Sequence, residues 1–315
     1  MADCNKEFTQ FLENIQLGKT KIEHLRTSRD ALREKIKAYY KEKNKNIPNF
    51  LGQGSFKVYT CINQIDEDYD IDDGVYLQHL PEKKDDWPKT ETVHDEIIDA
   101  VKNHTDQPPK DKTACVRVQF KKDYHVDLAI YCEYEDKVYL ARKGAEQWEE
   151  NSPKLFTEWI LGNVKTHGEQ LRNVIKYIKK WAYYNGWNDH ISGFFITILV
   201  GNHFSQSSAR DDLALYNTLV KVADYLKINR KIIRPVKPMK NMIESFSEAD
   251  MDEMISRFEK FRDKAKKAVV EIAKKDAQET WQSLFGDDFP KYIEEKQTDN
   301  SSNFNITRKN KPWGN

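Results

Sequence analysis

Asp70-Ile71-Asp72-Asp73-Gly74-Val75-Tyr76-Leu77 begins as a cluster of acids and ends as a β-branched and aromatic run. Val75, Tyr76 and Leu77 mark extended backbone. On a strand, Asp70 and Asp72 alternate around Ile71, so both carboxylates lie on one side with their Cα atoms about 7 Å apart. That spacing suits hard divalent cations, which take oxygen ligands and keep positions open for phosphate. The octapeptide closes a wider run, residues 66–73, in which six of eight residues are Asp or Glu, and no Lys or Arg occurs over residues 58–82. Solvated acidic loops also produce such runs, so the pair needs support from elsewhere in the chain.

A third acid gives that support. Asp127 interrupts the strand-like His125-Val126-Asp127-Leu128-Ala129-Ile130, where it shares a face with His125 and Ala129. A carboxylate in an apolar strand is costly unless it is ion-paired or metal-bound, and an edge strand or a salt bridge would also explain it. Upstream, Gly52-Gln53-Gly54-Ser55-Phe56 precedes a strand expected at 56–62; such glycines let backbone N–H groups approach phosphate oxygens, and Ser55 adds a hydroxyl. LGQGSFKVY resembles the Gly-rich loop of a protein kinase, but Lys57 stands where the third glycine belongs. No strand lysine follows before Lys83, and no HRD-like or DFG-like motif appears. The kinase reading fails.

Around these motifs the chain divides in two. Residues 5–43 read as one long helix ended by Pro48, with Leu25, Leu32, Ile36 and Tyr39 at helical spacing. Further strands are expected at 75–80, 115–120, 126–131 and 138–140, with a helix at 91–103 between them. From 151 the period is helical: Leu171, Val174, Ile175, Ile178 and Trp181 form one stripe. Residues 191–204 read as a buried helix or a strand, because a continuous apolar run has no diagnostic period. A further helix is expected at 211–226. A last helix opens at a Ser247/Asp250 capping box and is expected to turn Met251, Met254, Ile255, Phe258, Phe261 and Ile272 inward. After about residue 295 the composition is that of a disordered tail.

The 315 residues carry 51 Lys and Arg against 51 Asp and Glu, which argues against a general nucleic-acid coat. Neutrality is the sum of segregated patches, for residues 225–243 hold Lys227, Arg230, Lys231, Arg234, Lys237 and Lys240 without an acid. That patch suits either a phosphate-steering wall or a partner surface. The longest apolar run, residues 194–200, is far short of the roughly 20 residues that span a bilayer. The start of the chain has no signal-peptide h-region, and the four cysteines form no CxxC pair. A cytoplasmic protein with reduced thiols is expected.

Gly54-Ser55, Asp70-x-Asp72 and Asp127 together resemble the signature of the polymerase-β nucleotidyltransferase superfamily. DIDDGVYL more narrowly resembles the bacterial cyclic GMP-AMP synthase group of the cGAS/DncV-like nucleotidyltransferases. WEENSPKLFTEW (148–159), LRNVIKYIKKW (171–181), ISGFF (191–195) and WQSLFGDDFP (281–290) resemble this family's helical half. The resemblance implies an α+β fold: a polymerase-β-like core with a mixed sheet and long N-terminal helix over 1–150, a helical domain over 151–295, a tail over 296–315, and an active site in the cleft between the halves. It implies two Mg²⁺ ions, with Mn²⁺ as a substitute, on Asp70, Asp72 and Asp127. Gly54 and Ser55 would then hold the donor triphosphate, with Lys176 and Ser192 as further phosphate contacts and Lys180 a weaker one.

The activity implied is condensation of two NTPs, ATP and GTP foremost, into a cyclic dinucleotide for bacterial antiphage signalling. A product-reading effector and conjugation machinery acting on the tail would be partners. Transfer to an RNA or protein acceptor, or nucleotide sensing without turnover, are the competing functions. The animal DNA sensor of the superfamily carries a zinc-binding Cys/His insertion that this sequence lacks, so zinc-dependent sensing of duplex DNA is not expected.

Overall fold

The computed structural model describes residues 1–63, 69–120, 124–145 and 147–294; the expected tail and part of the acidic run lie outside them. A seven-stranded mixed sheet organises the first half. Its path is β1 (Asn49–Gln53), β2 (Tyr69–Leu77), β5 (Tyr124–Tyr134), β4 (Val116–Phe120) and β3 (Lys110–Asp111), with β6 (Lys137–Leu140) pairing β5 and β7 (Glu149–Glu150) pairing β6. Strands β2 and β5 run parallel, and the other pairs are antiparallel. The fold is the expected α+β arrangement of a polymerase-β-like core followed by a helical half.

Alternation gives the central strands two different faces. Ile71, Val75, Val126, Leu128 and Ile130 are buried beneath α2 (Lys19–Glu42) and α4 (Thr90–Val101), with Leu25, Leu32, Ile36, Val93 and Ile97. Asp73 points to this apolar side and is fully buried. Arg33 of α2 meets it with two bonds, Nε to Oδ2 at 2.7 Å and Nη2 to Oδ1 at 2.5 Å. Burial pushes the Asp73 carboxyl above its ordinary range despite Arg33, so the ion pair only offsets part of the desolvation cost.

Six principal helices build the second half: α5 (Pro153–His167), α6 (Glu169–Tyr184), α7 (Gly193–His203), α8 (Asp211–Asn229), α9 (Glu248–Val270) and α10 (Lys274–Phe285). The stripe from Leu171 to Trp181 is buried as expected. The ambiguous run 191–204 is helical, capped by the Ser192 hydroxyl, which accepts from Phe195 N–H. Both arms of the Ser247/Asp250 capping box form.

Three expectations need correction. The N-terminal helix is two helices, α1 (Asn5–Ile15) and α2, broken over residues 16–18. Phe8 and Phe11 of α1 pack on Tyr177, Phe285 and Phe289 in the helical half, whereas α2 packs on the sheet. Burying Phe8, Phe11 and Ile15 contributes about 1.5–3 kcal/mol each, which outweighs the few hydrogen bonds, at about 1 kcal/mol each, that one straight helix would keep. The strand expected at 56–62 instead precedes the glycine turn as β1, because Gly54 at φ +68° diverts the chain into the short α3 (Gly54–Lys57). Ile272 is exposed because α9 ends at Val270, where the Glu271 carboxylate accepts from the N–H groups of Ile272 and Ala273.

Replacing Arg33 by Met leaves Asp73 buried and unpaired, and should cost about 3 kcal/mol in urea unfolding. Such a carboxyl keeps its proton in the folded chain and loses it in the unfolded chain, so stability falls as pH rises. The loss should therefore be larger at pH 8 than at pH 5, and adding Asp73→Asn should recover part of it.

Candidate active site

The second face of the central strands carries the acids. The parallel register sets Asp70 beside His125 and Asp72 beside Asp127. This face floors a cleft of about 580 Å³ whose walls include Gly54, Ser55, Thr60, Lys179, Gly193 and Arg234. Asp72 and the Gly54 turn are in close contact: a Cβ on Gly54 would lie 1.8 Å from Asp72 Oδ2. Glycine is required there both by the left-handed backbone and by the carboxylate that fills the side-chain space. The Ser55 hydroxyl sits 3.0 Å from Cys61 Sγ, and burial pushes the Cys61 thiol up to about 11, which makes it an unreactive neighbour.

Charge on this face is only partly balanced. Burial and the carboxylates of Asp70 and Asp127 hold Asp72 well above the usual range, against Arg117 and Lys179. Asp70 is raised by enclosure in the cleft, opposed by His125 and reinforced by Asp127. His125 Nε2 lies 3.8 Å from Asp127 Oδ2 and 4.0 Å from Asp70 Oδ2. Asp127 is also salt-bridged: Arg117 on β4 donates Nε to Oδ1 and Nη2 to Oδ2, each at 2.8 Å. Both explanations of this acid, the ion pair and the shared face, thus hold together.

These residues fit hard divalent cations. Asp70 and Asp72 offer oxygen donors whose mutual repulsion a cation would relieve. Asp127 stands in register beside them with both oxygens on Arg117. Among the described residues no three His, Cys, Asp or Glu side chains already enclose an ion site. Metal binding by all three acids therefore requires Asp127 to be shared with, or released from, Arg117.

The lysines on α6 divide by their contacts. Lys179 lines the cleft, lies against Gly193, and donates to the Thr60 carbonyl at 3.1 Å and hydroxyl at 3.3 Å. Burial lowers its affinity for a proton, and Cys61, Asp70 and Asp72 oppose that shift. Lys176, the lysine singled out from sequence, is half-buried one turn earlier near Cys61 and Glu169 and is not part of the cleft wall. Lys180 is buried in an ion pair with Asp288 at 2.5 Å. Ser192 is an exposed helix cap between two cleft residues, Ile191 and Gly193. Spacing signalled one face, since Arg172, Lys176 and Lys179 lie three or four residues apart, but only the fold shows which of them reaches the acids.

The basic patch is largely neutralised. Lys227 pairs with Glu259, Arg230 with Glu248 and Asp252, and Lys240 with Glu149. Arg234 instead turns inward and lines the cleft.

A glycine-serine turn, Asp70 and Asp72 lining one cleft with Lys179, and Asp127 in register beside Asp72 form the arrangement of a polymerase-β-like nucleotidyltransferase core. Residues 48–131 match the family described as "Cyclic GMP-AMP synthase DncV-like, nucleotidyltransferase domain". The cyclic GMP-AMP synthase of Escherichia coli (strain TW11681) is 26% identical over 56% of this chain and 53% of its own, so the match spans about half the length of that relative. In fold, the chain is similar to Vibrio cholerae DncV cyclic AMP-GMP synthase in complex with the linear intermediate 5′ pppA(3′,5′)pG. The TM-score is 0.76 at 14% identity, over 91% of this chain and 96% of that one. It is also similar to E. coli MS115-1 CdnC with ATP, at TM-score 0.71 and 19% identity, over 92% and 99%. No described helix is long and apolar enough to cross a membrane.

Two outcomes follow from this geometry. In EDTA at pH 7.5, Asp72→Asn should raise Tm by roughly 2 °C, because the amide removes a carboxylate that its neighbours repel. The gain should shrink as pH falls through the raised carboxyl range and vanish below the ordinary carboxylate range, where Asp72 is protonated in the folded and the unfolded chain alike. Lys179→Met should weaken binding of a non-transferable ATP analogue by at least about 10-fold, as loss of a charged hydrogen bond does. Lys176→Met should change it by less than about 3-fold.

Proposed function

We propose that this chain condenses two nucleoside triphosphates, ATP and GTP foremost, into a cyclic dinucleotide of the cyclic GMP-AMP type. Each of the two transfers joins a ribose hydroxyl oxygen to an α-phosphorus, breaks the α-phosphorus bond to the β-phosphate bridge and releases pyrophosphate. The observation that carries this reading is that Asp70 and Asp72 line one cleft with Lys179, Gly54 and Ser55, with Asp127 in register beside Asp72. Gly54 and Ser55 support the donor triphosphate through backbone N–H and hydroxyl donors. Lys179 meets its negative charge as a point cation. Two Mg²⁺ ions, or Mn²⁺, held by Asp70, Asp72 and Asp127 would supply charge neutralisation at the triphosphate and activation of the attacking hydroxyl. In this reading Asp127, 3.8 Å from His125 and paired with Arg117, would accept the proton that the hydroxyl loses.

The relatives support this choice over transfer to a macromolecule, since one is a cyclic GMP-AMP synthase and another holds a linear dinucleotide intermediate. CdnC forms a complex with HORMA-deltaN, which supports a protein partner for this chain as well. The role we propose is antiphage signalling, with an effector reading the product and conjugation machinery acting on residues 296–315, outside the described residues.

Incubating the chain with labelled NTP pairs and Mg²⁺, followed by phosphatase, should leave a small phosphatase-resistant product that Asp70→Asn/Asp72→Asn does not make. Label on an added RNA or protein would favour the acceptor-transfer reading. Binding of NTPs without pyrophosphate release would overturn synthesis altogether.

A further inference from the structure

Arg234 is 7% exposed, and its guanidinium is incompletely matched. One Nη donates to the Ser152 carbonyl at 2.9 Å, while Nε has no hydrogen-bond partner among the described residues. Arg33 and Arg117 are less buried, yet each meets a carboxylate with two bonds. A buried charged donor left unmatched is more costly than a neutral one. Beside the same cleft, the Gln53 amide N–H donates to the Tyr131 hydroxyl at 3.1 Å, which leaves its acceptor Oε1 without a partner among the described residues. Gln53, Tyr131 and Arg234 all line the cleft, and Tyr131 lies four residues along β5 from Asp127.

We infer that Arg234 is a specificity-determining residue that reads the O6 and N7 edge of a guanine base bound in this part of the cleft, with the free Gln53 Oε1 accepting from the base's N1–H. The inference rests on the cleft being a nucleotide site, but not on cyclisation. An unmatched guanidinium and an unmatched amide atom, set beside an aromatic ring, call for a flat ligand with several polar edge atoms. Guanine presents two acceptors, O6 and N7, to the fork of an arginine. Adenine presents its N6 amino donor where O6 would be, so donor would face donor. Uracil offers a single carbonyl on the corresponding edge.

The test uses the full chain with Mg²⁺ and the α,β-methylene triphosphates of guanosine, inosine, 2-aminopurine riboside and adenosine, which bind without transfer. Calorimetry should show guanosine and inosine analogues, which keep O6 and N7, binding at least about 10-fold tighter than the other two. Arg234→Met should reduce that preference to less than about 3-fold by weakening the first two alone, and Arg234→Lys should restore only part of it. Equal binding of 2-aminopurine and guanosine analogues by the wild type would overturn the inference. So would a folded Arg234→Met that keeps the preference, or one that weakens all four analogues alike. If circular dichroism shows Arg234→Met unfolded, the wild-type series and Arg234→Lys decide. O6-dependent binding without any phosphatase-resistant product would sink the proposed synthesis and leave this assignment standing; synthesis without O6 dependence would do the reverse.

Discussion

The parallel pairing of Tyr69–Leu77 with Tyr124–Tyr134 is the constraint on which the rest depends, because its register sets Asp72 beside Asp127 and Asp70 beside His125. Adjacent strands lie about 4.8 Å apart. Unit charges at that separation repel by roughly 3.5 kcal/mol at an effective dielectric constant of 20. The fold holds like charges together and supplies only partial relief, through Arg117, His125 and Lys179. A bound cation would relieve that repulsion. Gly54 extends the same constraint to the neighbouring strand, for Asp72 occupies the space that any larger side chain would need.

Holding such a face rigid requires support from behind. One residue after Asp72, Asp73 turns to the opposite side of the sheet and is tied to Arg33 of α2. That buried pair costs desolvation, but it fixes the helix at the level of the acids. The break between α1 and α2 then carries the chain from the helical half, where Phe8 and Phe11 anchor α1, to the sheet, where α2 packs. Lys179 and Gly193, which belong to the helical wall, are thereby set opposite carboxylates on the sheet.

Much of this was legible in residue order because it is local. The α6 stripe, the Ser247/Asp250 cap and the alternation that puts Asp70 and Asp72 on one side each follow from spacing along a single element. The α1–α2 break was not legible, because the same helical period continues on both sides of Gly18 while the buried face changes cores. Ile272 fitted the inward period of α9 but lies beyond its end, where the Glu271 carboxylate accepts from the N–H groups of Ile272 and Ala273. Lys176 and Lys179 are equivalent by composition and nearly so by period. Which one reaches the acids depends on the packing of α6 against α7 and on the position of Thr60.

Sequence alone determined the chemistry available: a pair of acids at strand spacing, a third acid in an apolar strand, a Gly-Ser turn, and cations segregated from them. It did so because side-chain type and period are properties of consecutive residues. Tertiary structure alone decided which groups meet. Arg117 reaches Asp127 through antiparallel pairing, Lys179 faces the cleft in place of Lys176, and Arg234 leaves a patch whose other members are largely ion-paired to enter the cleft. Those partnerships join elements far apart in the chain, and no local spacing encodes the distance between them.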